Sequence, residues 1–258
     1  MKSSILITSY NKGKYLEQCI LSCLNQNTIN EGEILVLDNY SNDNSDQILK
    51  KFENKIKIYK KKKISEFPAI NQIDLIKEGI EISKGDTIFL LDGDDYFLEN
   101  KLSAVNNLFK KNTNLDVVFD LPLKKRNDKF SKFLLKKKFN NSVWPTIINT
   151  SSISVKRGCI LEILNKTFTD NFNLLEIDFR INVYSRNIKK NFTIIEKPYT
   201  VYRQLDDSIM GKTKKYSAKW WQKRGQGHEF MKNIYSNNGI KYNNKIDLLL
   251  TNIINKII

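Results

Sequence analysis

Cysteine, proline, histidine and arginine are all scarce in this chain of 258 residues, and each shortage excludes something. Three cysteines cannot all pair, and Cys19 and Cys23 stand at the i, i+4 spacing of a helix inside an apolar stripe. No secreted disulfide framework looks like that, so a reducing compartment is expected. No apolar run approaches the roughly 20 residues that a spanning helix needs. The opening Met1-Lys2-Ser3-Ser4-Ile5-Leu6-Ile7-Thr8 is too short in its apolar part for a signal peptide. Together these place the protein in the cytoplasm, with peripheral contact at the inner face of the membrane left open. Linkers rich in Gly, Pro or Ser and internal repeats are also missing, which favours one continuous domain.

What is present is apolar residue and positive charge. With 40% hydrophobic and 11% aromatic residues the chain has enough apolar surface to fold around a sizeable core. Forty-three Lys and Arg against 28 Asp and Glu leave a net charge of +15, which draws anionic partners through the long-range field. Only six of those cations are Arg, so this is not a set of guanidinium forks placed to read phosphate in a bidentate way.

The first 120 residues alternate strand and helix. Ile5 to Thr8 reads as a short buried strand, Asn11-Lys12-Gly13 as a turn, and Leu16, Ile20 and Leu24 as one face of a helix. Glu33 to Leu37 repeats the strand, Ile48, Leu49 and Phe52 mark a second helix, and Ile56 and Ile58 a third strand. Ile70, Ile73, Ile76 and Ile80 form a helical face that stops at Gly85. Thr87 to Leu91 is then a continuous apolar strand, followed by a helix with Asn100 at its N-cap and a strand from Asp116 to Phe119. Such alternation predicts an α/β fold with a mostly parallel central sheet flanked by helices.

The fourth strand ends in Asp92-Gly93-Asp94-Asp95. Asp92 and Asp94 are two residues apart, so continued extended backbone puts both carboxylates on one side. Ligands of open α/β sheets gather beyond such strand ends, and paired hard oxygens suit Mg²⁺ or Mn²⁺ carrying a diphosphate. A solvated acidic turn is the other reading of the tetrapeptide alone. Adjacent carboxylates repel by roughly 1 kcal/mol per pair in bulk water, a clustering that a bound cation would relieve.

Several motifs in order now resemble family 2 glycosyltransferases. They are Thr8-Ser9-Tyr10-Asn11 after the first strand, Gln26 closing the first helix, and Val36-Leu37-Asp38-Asn39 running into Tyr40-Ser41-Asn42-Asp43. Gly85-Asp86 then leads into the acidic turn. The resemblance implies a GT-A fold, a single Rossmann-like domain with a variable acceptor-side C-terminal part. Residues 1–120 would bind the nucleotide sugar, 121–210 would hold the acceptor and catalytic base, and 211–258 would form a basic, helical extension. It further implies inverting transfer of a sugar from a nucleotide-diphosphate donor to a hydroxyl of a glycan or lipid-linked acceptor in cell-surface polysaccharide synthesis. A divalent cation, Mn²⁺ or Mg²⁺, would assist.

By the same resemblance Thr8, Tyr10, Asn11, Asp38 and Asn39 contact base and ribose, Asp92 and Asp94 hold the metal and diphosphate, and Arg203 carries diphosphate charge. Asp178 in Leu174-Leu175-Glu176-Ile177-Asp178 matches the segment that supplies the base, with Glu176 as its rival. On a helix these two point about 200° apart and cannot share one task. The pattern departs from the family at Asn39, where Asp is common. It departs again at Lys77-Glu78-Gly79, where Asn-x-Gly is common, and at Leu205, where the late Tyr-Arg-x-His pattern has a histidine that a leucine cannot replace as a ligand.

Other features leave alternatives open. His228, the only histidine, is a packed residue or a substitute ligand, and Trp220-Trp221 is an acceptor floor, a membrane contact or core. Lys60 to Lys63 reads as a solvated loop. Leu249, Ile253 and Ile257 mark a terminal amphipathic helix. The competing functions are a noncatalytic polyanion or nucleic-acid binding protein, which the acidic turn disfavours, and a nucleotidyltransferase, for which no Gly-rich pyrophosphate loop is present. The reading therefore includes no nucleic-acid partner.

Overall fold

The computed structural model describes all residues except 136–144, 168–169, 206–213 and 244. The Lys136-Lys137-Lys138 run lies outside the described residues. A seven-stranded sheet forms the centre. Its strands are β1 (Ser3–Ser9), β2 (Glu33–Asp38), β3 (Lys57–Lys60), β4 (Thr87–Asp92), β6 (Val117–Asp120), β9 (Ile153–Lys156) and β10 (Phe192–Ile195), in the order β10-β6-β9-β4-β1-β2-β3. All neighbours pair parallel except β9, which runs antiparallel to both β4 and β6. A second sheet, in the order β5-β11-β7-β8, joins β5 (Tyr96–Phe97), β7 (Leu123–Arg126), β8 (Lys129–Lys132) and β11 (Thr200–Arg203).

Helices cover both faces of the main sheet because its central strands are apolar on both sides. Residues of β1 and β4 alternate between two cores. Leu6, Ile88 and Leu90 face one, with α3 (Pro68–Ile82), α5 (Arg157–Thr167), α6 (Ile177–Val183) and α7 (Ala218–Asn237). Ile5, Ile7, Phe89 and Leu91 face the other, with α1 (Gly13–Leu24), α2 (Ser45–Phe52) and α4 (Lys101–Lys111). Pro68 opens α3, where its missing N–H has no helical partner to lose. Gly79 lets α3 lie close on the sheet, since a Cβ there would stand 2.5 Å from Leu37 Cδ1. That packing explains the glycine after Lys77-Glu78.

Two expectations are revised. The stretch from Ile147 to Val155 is not one strand: Thr150–Ser152 forms a 3-10 turn and only Ile153–Lys156 pairs. Asn100 precedes α4 but does not cap it, because it sits at φ 66° and its side-chain oxygen instead accepts from Asn27 Nδ2. The helix expected from Leu175 to Ser185 is α6, continued by a π-helical turn over Tyr184–Lys189.

The last helix, α8 (Lys245–Ile257), packs against α7 with its polar stripe inward. Asp247 meets Arg224 and His228, and Asn255 Nδ2 donates to the Trp221 carbonyl at 3.1 Å. The apolar stripe Ile246, Leu249, Leu250, Ile253 and Ile257 is exposed. Among the described residues no helix is long and apolar enough to cross a membrane.

Candidate active site

The acidic turn closes tightly over the end of β1: the Gly93 N–H donates to the Thr8 carbonyl at 2.8 Å, and a Cβ at Gly93 would come within 3.2 Å of that oxygen. Three carboxylates leave this turn in different roles. Asp95 is fully buried and structural, accepting from the Arg203 backbone N–H at 2.8 Å and from the Ser151 hydroxyl at 2.5 Å. Burial, with the charges of Asp94 and Asp92, drives its carboxyl far above the usual range. Asp92 Oδ1 accepts from Thr8 Oγ1 at 3.0 Å and from Gln72 Nε2 at 2.7 Å. Burial, reinforced by Asp94, pushes the Asp92 carboxyl up to about 7. Asp94 Oδ2 is met by Lys12 Nζ at 2.5 Å.

A divalent cation is implied by the resemblance, and the donor set accommodates one. Among the described residues, Asp92 Oδ2 and Asp94 Oδ1 accept no hydrogen bond, and both are hard oxygens. Among the same residues no group of three or more His, Cys, Asp and Glu gathers to hold a metal. Two carboxylates suit a Mg²⁺ whose shell is completed by phosphate oxygens and water. His228 does not add to it. It is fully buried, with Nδ1 2.6 Å from the Tyr242 hydroxyl and Nε2 3.0 Å from Asp247.

Arg203 is a clamp on the turn. Its guanidinium donates to the Asp94 carbonyl and to Gln18 Oε1, and lies 5.0 Å and 4.7 Å from the ring centres of Tyr15 and Tyr96. Together with Lys14, Tyr15, Lys125 and Leu205 it lines a cavity of about 480 Å³. The neighbouring Tyr202 faces a second cavity, of about 580 Å³, also lined by Glu176, Asp178 and Trp220. Burial and the nearby charges of Asp95, Asp178, Asp92 and Asp94 all raise the Tyr202 phenol, so four carboxylates converge on this ring. The acidic turn meets the first cavity through Arg203 and the second through Tyr202.

Asp178 occupies the first turn of α6. Its placement is fixed from behind by Arg180, fully buried, which donates to the carbonyls of Thr167, Phe172 and Leu175, and by Asn182, which donates to the Ile148 and Asp178 carbonyls. Burial first, then the charge of Glu176, pushes the Asp178 carboxyl up to about 7. Glu176 is ion-paired with Lys223 at 2.5 Å. Glu176 is thus bound to a cation, while among the described residues Asp178 accepts only a backbone N–H, that of Phe179.

The loops after β1 and β2 form a second cluster. Asp38 is fully buried and accepts from the backbone and hydroxyl of Ser41 at 2.9 and 2.6 Å. Asn11, at φ 53°, donates its N–H to Ser41 Oγ and accepts from the Asn42 N–H. Asn39 is buried and donates to the Lys61 carbonyl. Asn11, with Asp43 accepting from the Gly13 N–H, ties the two loops together, Asp38 braces the second loop from within, and Tyr10 and Tyr40 are exposed aromatic rings of the cluster. Lys63 Nζ lies 3.4 Å above the Tyr10 ring and Lys62 Nζ 5.8 Å from the Tyr40 ring. Lys61 is bound by Asp74 and Glu78. Lys60, Lys62 and Lys63 are exposed, as a solvated loop predicts, while Lys61 is partly buried by its two carboxylate partners.

The sequence profile described as glycosyl transferase family 2 matches residues 4–168. The chain belongs to glycosyl transferase family 2. An uncharacterized glycosyltransferase of Mycoplasma pneumoniae is 37% identical over 124 residues, 46% of this chain and 40% of the relative. The poly(ribitol-phosphate) beta-N-acetylglucosaminyltransferase TarP of Staphylococcus aureus is 30% identical over 120 residues, 45% of this chain and 35% of TarP. These matches span less than half of either relative. A GalNAc(5)-diNAcBac-PP-undecaprenol beta-1,3-glucosyltransferase of Campylobacter jejuni is 27% identical over 232 residues, 83% of this chain and 69% of the relative. In fold, S. aureus TarS 1-349 in complex with UDP superposes with a TM-score of 0.66 at 15% identity, covering 99% of this chain and 70% of TarS 1-349. The GT-A architecture is thereby shared.

Proposed function

We propose that the chain transfers a sugar from a nucleotide-diphosphate donor to a hydroxyl of a glycan or lipid-linked acceptor, with inversion, in cell-surface polysaccharide assembly. The observation that carries this reading is Asp178, a carboxyl held near pKa 7 in the wall of a cavity and within electrostatic reach of the acidic turn. Support comes from relatives named for polymer and lipid-linked acceptors and from a TarS structure in complex with UDP-GlcNAc.

In a single displacement the acceptor O–H gives its proton to Asp178 as its oxygen bonds to the anomeric carbon. The bond from that carbon to the diphosphate breaks, and the nucleoside diphosphate departs. Tyr10 offers a face for the base, and the tied loops of Asp38, Asn11 and Asn39 fix the rim around the ribose. Thr8 and Gln72 orient Asp92, Arg203 holds the turn by its backbone, and Lys12 offsets the charge of Asp94. Asp92 and Asp94 would hold a divalent cation, whose contribution when bound is neutralisation of diphosphate charge.

Paired substitutions test the assignment. Asp94→Asn should abolish Mn²⁺-dependent nucleotide binding. Asp178→Asn should keep nucleotide binding, measured by calorimetry, and lose transfer. Normal turnover in Asp178→Asn rejects that residue as the base.

Peripheral contact with an anionic lipid surface belongs to the same proposal. A helix whose polar stripe is engaged by α7 and whose apolar stripe faces outward has an unmet need for apolar cover. The chain's net charge of +15 favours an anionic leaflet over a neutral one.

A further inference from the structure

The cavity beside Asp178 is more cationic than proton abstraction requires. Lys124, Lys215, Lys223 and Arg224 all reach its wall, with Trp220 among them. Lys223 is matched by Glu176 and Arg224 by Asp247. Lys124 and Lys215 differ: their ammonium groups lie over the rings of Phe133 and Tyr216, at 4.9 and 4.5 Å, and among the described residues neither pairs with a carboxylate. After matching, the described lining of the cavity keeps two ammonium groups and the Asp178 carboxyl.

Strand pairing puts one of these cations at the reacting end. Lys124 of β7 is in register with Tyr202 of β11, and both line this cavity, while the next pair, Lys125 and Arg203, lines the other. The pleat thus sorts the two lysines of β7 between two cavities. Lys124 shares a wall with the tyrosine on which the four carboxylates converge.

We propose that this cavity takes an acceptor carrying phosphate near the hydroxyl to be glycosylated, with Lys124 and Lys215 contacting phosphate oxygens and Trp220 packing on the sugar or polyol face. The proposal rests on the glycosyl-transfer reading of the site. A neutral glycan gives two ammonium groups no counter-charge, whereas phosphate oxygens meet both, and compact ammonium ions accept a diester or a diphosphate without a fixed bidentate geometry. Two sources share this chemistry: a polyol-phosphate polymer and a glycan linked through diphosphate to a lipid.

Calorimetry on the full chain distinguishes them. The probes are a poly(glycerol phosphate) oligomer, a short-chain prenyl-diphosphate GlcNAc in neutral micelles, and chitotriose as the neutral glycan. At least one phosphate-bearing probe should bind about tenfold more tightly than chitotriose, more weakly as salt rises from about 50 to about 300 mM. Which one does so identifies the source. Lys124→Gln combined with Lys215→Gln should lose that preference. A wild type that binds neither phosphate probe more tightly than chitotriose overturns the proposal, as does a folded double variant that keeps the preference. If the double variant does not fold, the wild-type preference and its salt dependence decide. UDP titration of the same wild-type sample separates the two levels: UDP binding without phosphate preference rejects only the acceptor class, and no UDP binding rejects the transfer reading beneath it.

Discussion

Replacing Glu176 with Gln and, separately, Lys223 with Gln should move the acid limb of the pH–rate profile in opposite directions. The Asp178 carboxyl sits near 7, raised by burial and by Glu176 and lowered by Lys223. With a base of that pKa, kcat/KM falls about tenfold per pH unit on the acid side and stands near about 1% of its plateau at pH ~5. A unit charge ~7 Å away in an effective dielectric of ~20 changes ionisation by about 2.4 kcal/mol, or about 1.7 pH units. Glu176 and Lys223 partly cancel one another at 2.5 Å, and Asp178 is only half-buried, so about one unit is the expected shift. The limb should fall toward ~6 in Glu176→Gln and rise toward ~8 in Lys223→Gln. Asp92 titrates in the same range, but burial and Asp94 set its position, so a limb belonging to Asp92 would stay in place in both variants. The assay is nucleoside diphosphate release under saturating donor between pH ~5 and ~9. Unmoved limbs, or limbs moving together, refute Asp178 as the titrating base.

Four further outcomes are expected. Tyr10→Ala should weaken nucleotide binding by about 1–3 kcal/mol in calorimetry, the usual worth of stacking a base on an aromatic ring; unchanged affinity would move the base elsewhere. Lys101→Met should cost about 3–5 kcal/mol in urea unfolding, because fully buried Lys101 donates to Asp120, Thr200 and the Ser151 carbonyl, and its loss strands the Asp120 charge. Leu249→Asp with Ile253→Asp should abolish co-sedimentation with anionic vesicles; retained binding rejects α8 as the contact. Asp178→Asn should stabilise the fold above pH ~7: an acid whose folded pKa is raised loses stability as pH climbs from its unfolded value, about 3.9, to about 7. Allowing for partial exposure, the gain is about 1–2 kcal/mol, a rise of several degrees in Tm at pH ~8 that vanishes near pH ~4.

How much of this was legible in the sequence follows from range. Ile5, Ile7 and Leu6 announce a strand buried on both faces, and Ile70, Ile73, Ile76 and Ile80 announce a helix, because period and burial are local. The direction of β9 is set by partners from β4 and β6, so composition gives no sign of its antiparallel run. Lys12, Gln72 and Tyr202 reach the acidic turn from 82, 20 and about 110 residues away. Nothing in their own segments marks them, apart from the place of Tyr202 in the Tyr202-Arg203-Gln204 segment. The chain around Lys101 reads as an ordinary helix start, and only the fold reveals the ion beneath it. Trp220 lines the cavity beside Asp178, and His228 is a buried bridge between α7 and α8.

The charges of four acids all act on Tyr202. Asp92, Asp94, Asp95 and Asp178 raise one another or their shared neighbour, a cost that a turn serving only the fold could avoid with Asn or Ser. The fold answers part of it with Lys12 on Asp94, and with Arg203 and Ser151 on Asp95. Asp92 receives only the neutral donors Thr8 and Gln72, and Asp178 only a backbone N–H. Asp95 likewise has only a backbone N–H and a hydroxyl, so among the described residues Asp94 alone of the four is ion-paired, and the other three are all raised. Positive charge arriving at Asp92 would favour its ionised form, while Arg180 and Asn182 fix the segment that carries Asp178. Carboxyls raised by burial and by one another, one of them in the wall of a cavity, mark a candidate site for chemistry.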